Sequence, residues 1–249
     1  MLRLLKAVLL TVGIAALSMI TVSCNSNGQA QVRFVHAIED ASALDIEVNG
    51  TKDFTKVAFG NLQPLTGYTA VQTGIDTVVG LLTGTSTVAF STTNVKLVAG
   101  TEYTVVATGF DTGFEGSNVV ILNPSDDNTE PANGTIKFRV INASPSGSNG
   151  SGGAVDIYIQ PAQVEGLTPP ATISGLAYQE TSKYLPEAYN TSGAGYTVYV
   201  CPAGTTDQLF KQTFVVGGPN EGSIRTLILT DQQGVQELNP QFIELDDLN

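Results

Sequence analysis

The sequence holds no tryptophan, a single histidine (His36), two cysteines and two methionines. Each shortage closes a route to function. Zinc sites need several clustered His and Cys ligands, more than this chain can gather. A Ser-His-Asp triad could run only through His36. Carbohydrate platforms lean on exposed aromatic rings, so the missing indoles disfavour sugar recognition. Basic residues are also few: 11 Lys and Arg stand against 23 Asp and Glu, a net charge of −12. Such a surface repels phosphate backbones and anionic lipid headgroups, which argues against a nucleic-acid partner. No P-loop, no GxGxxG after a strand and no GxSxG elbow occurs. The stretches "SDDNTE" (125–130) and "ELDDLN" (244–249) lack calcium-loop spacing and read as solvated acidic segments. No catalytic, cofactor-binding or metal-binding residue is expected.

What is abundant is glycine, 26 residues in a chain of 249, together with Val, Thr and Ser. Val and Thr favour strands, while Gly and Ser favour tight turns, and no long window after Cys24 has helical periodicity. The first 23 residues differ. They open with Arg3 and Lys6 and continue in an apolar run from Ala7 to Val22, the layout of a secretory signal. The ending Thr21-Val22-Ser23-Cys24 resembles a bacterial lipobox. That resemblance implies cleavage before Cys24 and lipidation of its sulfur. Two alternatives stay open: an uncleaved membrane-spanning anchor, which the run is nearly long enough to form, and ordinary signal cleavage. The polar residues 24–30 read as a tether. Asn25 after the cysteine is similar to the pattern that directs enteric lipoproteins to the outer membrane. With Cys24 lipidated, only Cys201 remains, and no intramolecular disulfide can form. Cys201 ends the strand-like "GYTVYVCPAG" and reads as a small packed residue.

The mature part repeats itself. Arg33 and Arg139 lie 106 positions apart, and at that offset His36 meets Asn142 and Ala37 meets Ala143. Asp45 meets Asp156 at an offset of 111, the extra residues falling in "SPSGSNGSGG". Tyr68 and Tyr184 follow in matching order. Period-two alternation and turn residues spaced about 8–12 residues apart predict half-buried strands in a β-sandwich. The expected architecture is all-β: a signal peptide (1–23), a tether (24–30), and two tandem immunoglobulin-like antiparallel β-sandwich domains. These span residues 31–122 and 135–249, joined by a polar linker (123–134), and each is large enough for its own core.

The phrases Arg33 to Ala37, Leu44 to Gly50 and Ala99 to Val105 are similar to those of a bacterial family, domain of unknown function 4397. The second half keeps Arg139, Asn142 to Pro145 and Asp156, without the histidine. The resemblance implies a secreted or envelope-anchored β-sandwich and supplies no catalytic residues.

Six residues stand out as a structural motif. Arg33 with Asp45, and Arg139 with Asp156, suggest one ion pair within each domain. His36 and Asn142 are expected to organise the turn at the end of the first strand, since a general base would not be exchanged for Asn. The functional expectation is a non-catalytic, lipid-anchored cell-envelope protein that binds an unidentified protein or glycan. Its contact loops would be Ala37–Ala43 and Ser144–Gly153. The rivals are an envelope spacer or assembly component and, less favoured, a hydrolase.

Overall fold

The computed structural model describes residues 28–111, 118–147, 152–214, 221–234 and 239–248. The signal peptide, Cys24 and residues 25–27 of the tether lie outside them. The described residues form strands and no helix. The first half contains β1 (Gln29–Ile38), β2 (Leu44–Val48), β3 (Thr51–Val57), β4 (Leu62–Gln63), β5 (Thr69–Gln72), β6 (Val78–Leu82), β7 (Val88–Thr92), β8 (Glu102–Gly109) and β9 (Val120–Leu122). The second contains β10 (Thr135–Asn142), β11 (Val155–Pro161), β12 (Ile173–Leu176), β13 (Leu185–Ala188), β14 (Tyr196–Pro202), β15 (Phe210–Phe214), β16 (Ile224–Asp231) and β17 (Pro240–Asp246). β1 begins at Gln29, so the last two residues of the expected tether belong to the sheet.

Each half pairs its strands in the same way. β4-β1-β8-β9 form one sheet, with β5 also on β1, and β3-β2-β6-β7 form the other. The second half repeats this as β13-β10-β16-β17 and β12-β11-β14-β15. The expected all-β sandwiches are present, with one refinement to their antiparallel pairing. β1 runs parallel to β8, and β10 runs parallel to β16. Parallel neighbours need a long crossover, which the intervening strands supply.

Three apolar seams hold four layers. Val32 and Phe34 pack with Leu44, Ile46, Phe54 and Phe90 inside the first half. Phe138 and Val140 pack with Ile157, Val198, Phe214 and Leu227 inside the second. The outer faces of the two inner sheets then meet: Val35, Ala37 and Val106 pack on Ile141, Ala143, Ile228 and Leu245. β1, β8, β10 and β16 are therefore buried on both faces, where alternation predicts half-buried strands. Their polar alternates, Arg33, Thr104, Arg139 and Thr226, face the other half instead of water. Among the described residues no helix is long and apolar enough to cross a membrane.

Candidate functional site

The seam between the halves holds a buried ionic lattice. The Arg33 side chain is 1% exposed, Arg139 is 2% exposed, and the Asp126 and Asp247 side chains are fully covered. Each guanidinium first binds its own half. Arg33 Nε donates to Thr104 Oγ1 at 2.8 Å, and Arg139 Nε donates to Thr226 Oγ1 at 3.1 Å. Arg33 stacks over Tyr68 and Arg139 over Tyr184, at 5.3 and 4.6 Å from the ring centroids. Each then reaches across. Arg33 Nη2 meets Asp247 Oδ1 at 2.5 Å, and its Nη1 donates to the Asp246 carbonyl at 3.1 Å. Arg139 Nη2 meets Asp126 Oδ1 at 2.7 Å, and its Nη1 donates to the Ser125 carbonyl at 3.0 Å. Asp126 and Asp247 also accept from the tyrosine of their own half, Tyr68 at 2.8 Å and Tyr184 at 2.7 Å. Burial raises both phenol pKa values, with further shifts from Asp126 at Tyr68 and from the opposed Arg139 and Asp247 at Tyr184. Both therefore act as neutral donors. Burial opposes the Arg33 charge, but Asp247 and then Asp126 outweigh it and raise its pKa.

This lattice corrects two expectations. Arg33 does not pair with Asp45, nor Arg139 with Asp156, because the arginines face the seam while the aspartates lie in the outer sheets. Asp45 accepts the Lys56 N–H at 2.9 Å and Lys52 Nζ at 3.0 Å, with the Gly84 backbone as a further donor. The Lys56 hydrogen bond, then the Lys52 contact, lowers its pKa. Asp156 accepts the N–H groups of Gly175 at 2.7 Å and Gly204 at 2.8 Å. Lys56 and Gly175 both have positive φ, 54° and 66°, so each aspartate fastens the same kind of backbone kink. The second correction concerns "SDDNTE" and "ELDDLN". Their Asp126 and Asp247 are not solvated but close the lattice, since two buried guanidinia require two buried carboxylates.

His36 and Asn142 occupy matching places with matching bonds. His36 Nδ1 accepts the Ile38 N–H at 3.2 Å, so Nε2 carries the proton and donates to the Ser42 carbonyl at 3.1 Å. Asn142 Oδ1 accepts the Ser144 N–H at 3.2 Å, and Nδ2 donates to the Leu176 carbonyl at 3.0 Å. Burial lowers the His36 pKa, opposed by the Ser42 and Ala41 backbone. Cys201 is buried and free beside Tyr158 and Tyr199. Burial, then Asp156 and Asp207, raises its thiol pKa.

A second polar cluster closes the other end of the seam. Glu39 is 2% exposed and Asp231 is fully buried. Asp231 Oδ2 accepts from Ser144 Oγ at 2.7 Å and the Ser146 N–H at 3.1 Å. Among the described residues, Asp231 Oδ1 and both Glu39 carboxyl oxygens have no other hydrogen-bond donor. Burial, then the Asp231 charge, pushes the Glu39 pKa up to about 9. At neutral pH Glu39 is thus protonated and can donate to Asp231. Sequence reasoning missed this pair, because neither residue recurs at its matching position.

The expected contact loops are also engaged. In Ala37–Ala43 the Ala41 carbonyl accepts from Gln233 Nε2 at 2.8 Å, and the Glu39 carbonyl accepts the Gly234 N–H at 3.0 Å. In Ser144–Gly153, Ser144 and Ser146 are buried against Asp231, and residues 148–151 lie outside the described residues. An open cleft of about 540 Å³ lies beside this joint instead, between Phe59 and Gly60 of the first half and Gln232, Gln241 and Glu244 of the second. Its size suits a small ligand or a short polymer segment.

The fold and seam define a four-layer all-β module whose halves are joined by reciprocal buried charges. The family described as domain of unknown function, DUF4397, matches residues 30–158, more than half of the chain, and the chain belongs to that family. The match takes in nearly all of the first half, β10 and part of β11. No curated protein matches the chain. Among solved structures it is similar to a streptococcal virulence factor that binds alpha-glucan, at 12% identity over 85% of this chain and 95% of that one, with a TM-score of 0.27. It is also similar to the fimbrial anchor protein Mfa2 from Porphyromonas gingivalis, at 10% identity over 88% and 97%, with a TM-score of 0.29. These scores carry no argument about function.

The seam and its carboxyl pair can be tested separately. Asp247→Asn and Arg33→Met should each destabilise the protein by about 3–5 kcal/mol in urea unfolding, each leaving the lattice with one uncompensated buried charge. Their double mutant should show a coupling above about 1 kcal/mol, whereas Arg33 and Asp45 should be additive within about 0.5 kcal/mol. The pH profile has two opposed arms. Glu39 has a raised pKa, so its contribution is complete below the unfolded value of 4.5 and is lost as pH rises through about 9. His36 has a lowered pKa, so stability falls as pH drops below its ordinary value of 6.5. Glu39→Gln should flatten the alkaline arm and His36→Asn the acid arm; unchanged slopes would remove these assignments.

Proposed function

We propose that the chain is a non-catalytic, lipid-anchored protein of the bacterial cell envelope, a binding or adhesion module carried on Cys24 at the outer membrane. The second half is a second copy of the family's fold. Its support is the matched quartet: Arg139, Tyr184, Thr226 and Asp247 repeat the bonds of Arg33, Tyr68, Thr104 and Asp126. The observation that carries the binding reading is the cleft between Phe59 and Gln241, held open by halves that their cross-pairs lock together. A pre-formed concave surface on a stiff frame costs little ordering on binding. His36 supports the non-catalytic reading, since both ring nitrogens are committed to backbone groups. An envelope spacer remains the second reading, favoured by the same locked joint, which also suits a strut.

Cys24→Ala should move the protein from the membrane fraction to the soluble fraction; unchanged retention would point to a spanning anchor. Glycan and protein arrays probed with residues 28–249 test the binding reading. Hits weakened at least about tenfold by Phe59→Ala would support the cleft, on the scale of one lost aromatic contact. Wild-type fragment without hits would favour the spacer.

A further inference from the structure

The end of the first half at which the chain enters is built as a platform of tied loops. Gly28 is fixed there, its carbonyl accepting from Thr73 N and Thr73 Oγ1 at 3.0 and 2.8 Å. Three connections meet beside it: the β2–β3 turn at Asn49, the β5–β6 loop from Thr73 to Thr77, and the stretch from Thr93 to Gly100. Asp76 ties them together. Its Oδ1 accepts from the Gly74 N–H at 3.0 Å and Asn49 Nδ2 at 3.4 Å, and its Oδ2 accepts the Leu97 N–H at 3.0 Å.

On this platform Ile75 is 87% exposed and Val98 is 59% exposed. Isolated exposed aliphatics are ordinary on a protein surface. Here two of them share one tied platform with exposed Lys96 and small or neutral residues, and Asp76, its acid, is buried in hydrogen bonds. No exposed residue of these three connections is acidic, in a protein of net charge −12. The equivalent connections of the second half expose Glu165 and Glu221. Cys24 lies four residues before Gly28, a span of at most about 14 Å when extended.

We propose that this platform is a membrane-contacting face, with Ile75 and Val98 seated at the boundary between headgroups and acyl chains and Lys96 against anionic headgroups. The proposal rests on the lipid anchor at Cys24. Repulsion from Glu165 and Glu221 leaves the second half further from the bilayer, so the contact is one-sided. The anchor holds the platform at the surface, and the apolar pair fixes which way the module points.

The chain has no tryptophan, so a single Ile75→Trp substitution is a clean reporter. The full-length lipidated protein is reconstituted into vesicles of phosphatidylethanolamine and phosphatidylglycerol with brominated acyl chains. Val88→Trp is the control: Val88 is 55% exposed and lies at the opposite end of the sheet that holds Val78. Emission from the Ile75→Trp variant should shift to shorter wavelength and lose about half its intensity to the brominated chains, as a side chain at the acyl boundary does. Emission from the Val88→Trp variant should stay unchanged. If the protein floats with the vesicles and the indole at position 75 emits as in water, the membrane-contacting face is wrong and the anchor stands. If the protein does not float with them, the anchor is wrong and this face falls with it.

Discussion

Two arginines and two aspartates, buried in the seam and crossed between halves, are the constraint on which the rest of the molecule depends. Each guanidinium takes its hydroxyl and its aromatic ring from its own half, but its shortest carboxylate contact from the other. Such pairs add little net stability over an apolar seam of the same shape, because desolvation offsets most of the attraction. Their effect is on the alternatives. A seam slipped by one residue, or opened, breaks both crossed pairs and leaves Arg33 only its longer, 3.5 Å contact with Asp126. The surrounding aliphatics, Val35, Val106, Ile141 and Ile228, would tolerate several registers. The ions tolerate one.

The other end of the seam works in the opposite sense. Glu39 and Asp231 are like charges brought together, and a proton relieves the conflict. The Arg lattice sets opposite charges against each other, while the Glu39 pair needs one carboxyl neutral, so acid secures that pair. His36 acts against it, because its neutral ring is what the turn after β1 requires. Stability is thereby confined to an intermediate range of pH.

Alternation, turn residues and the internal repeat disclosed the sheets, because those signals are local. Arg33 and Arg139 also drew attention by recurring. Their partners did not come with them. Asp45 is the recurring acid that follows Arg33 in the repeat, but its strand, β2, belongs to the other sheet. The true partners lie 214 and 13 residues away, in segments whose composition reads as solvent-exposed. Only the burial of both faces of β1 and β10 makes a polar alternate point into protein, and that burial depends on how the two halves dock. The common feature of "SDDNTE" and "ELDDLN", an Asp doublet at or just beyond the end of a half's last strand, is the one trace of it in the sequence.

The connection between the halves also takes part in the seam. Asp126 belongs by its bonds to Tyr68 and Thr104 of the first half, yet it neutralises Arg139 of the second. Asp247 does the converse for Arg33. Arg33 also lies 3.5 Å from Asp126 of its own half, so the crossed pairs add to an ion pair that the first half already contains. Residues 123–128 then form part of the joint, with Asp127 paired to Lys137 of the second half and Asn128 donating to Tyr68 and Glu102 of the first. The crossed pairs favour one relative placement of the two halves at the seam. That property serves a tethered adhesion module and a spacer alike, and it explains why the two readings must be separated at the cleft and not at the joint.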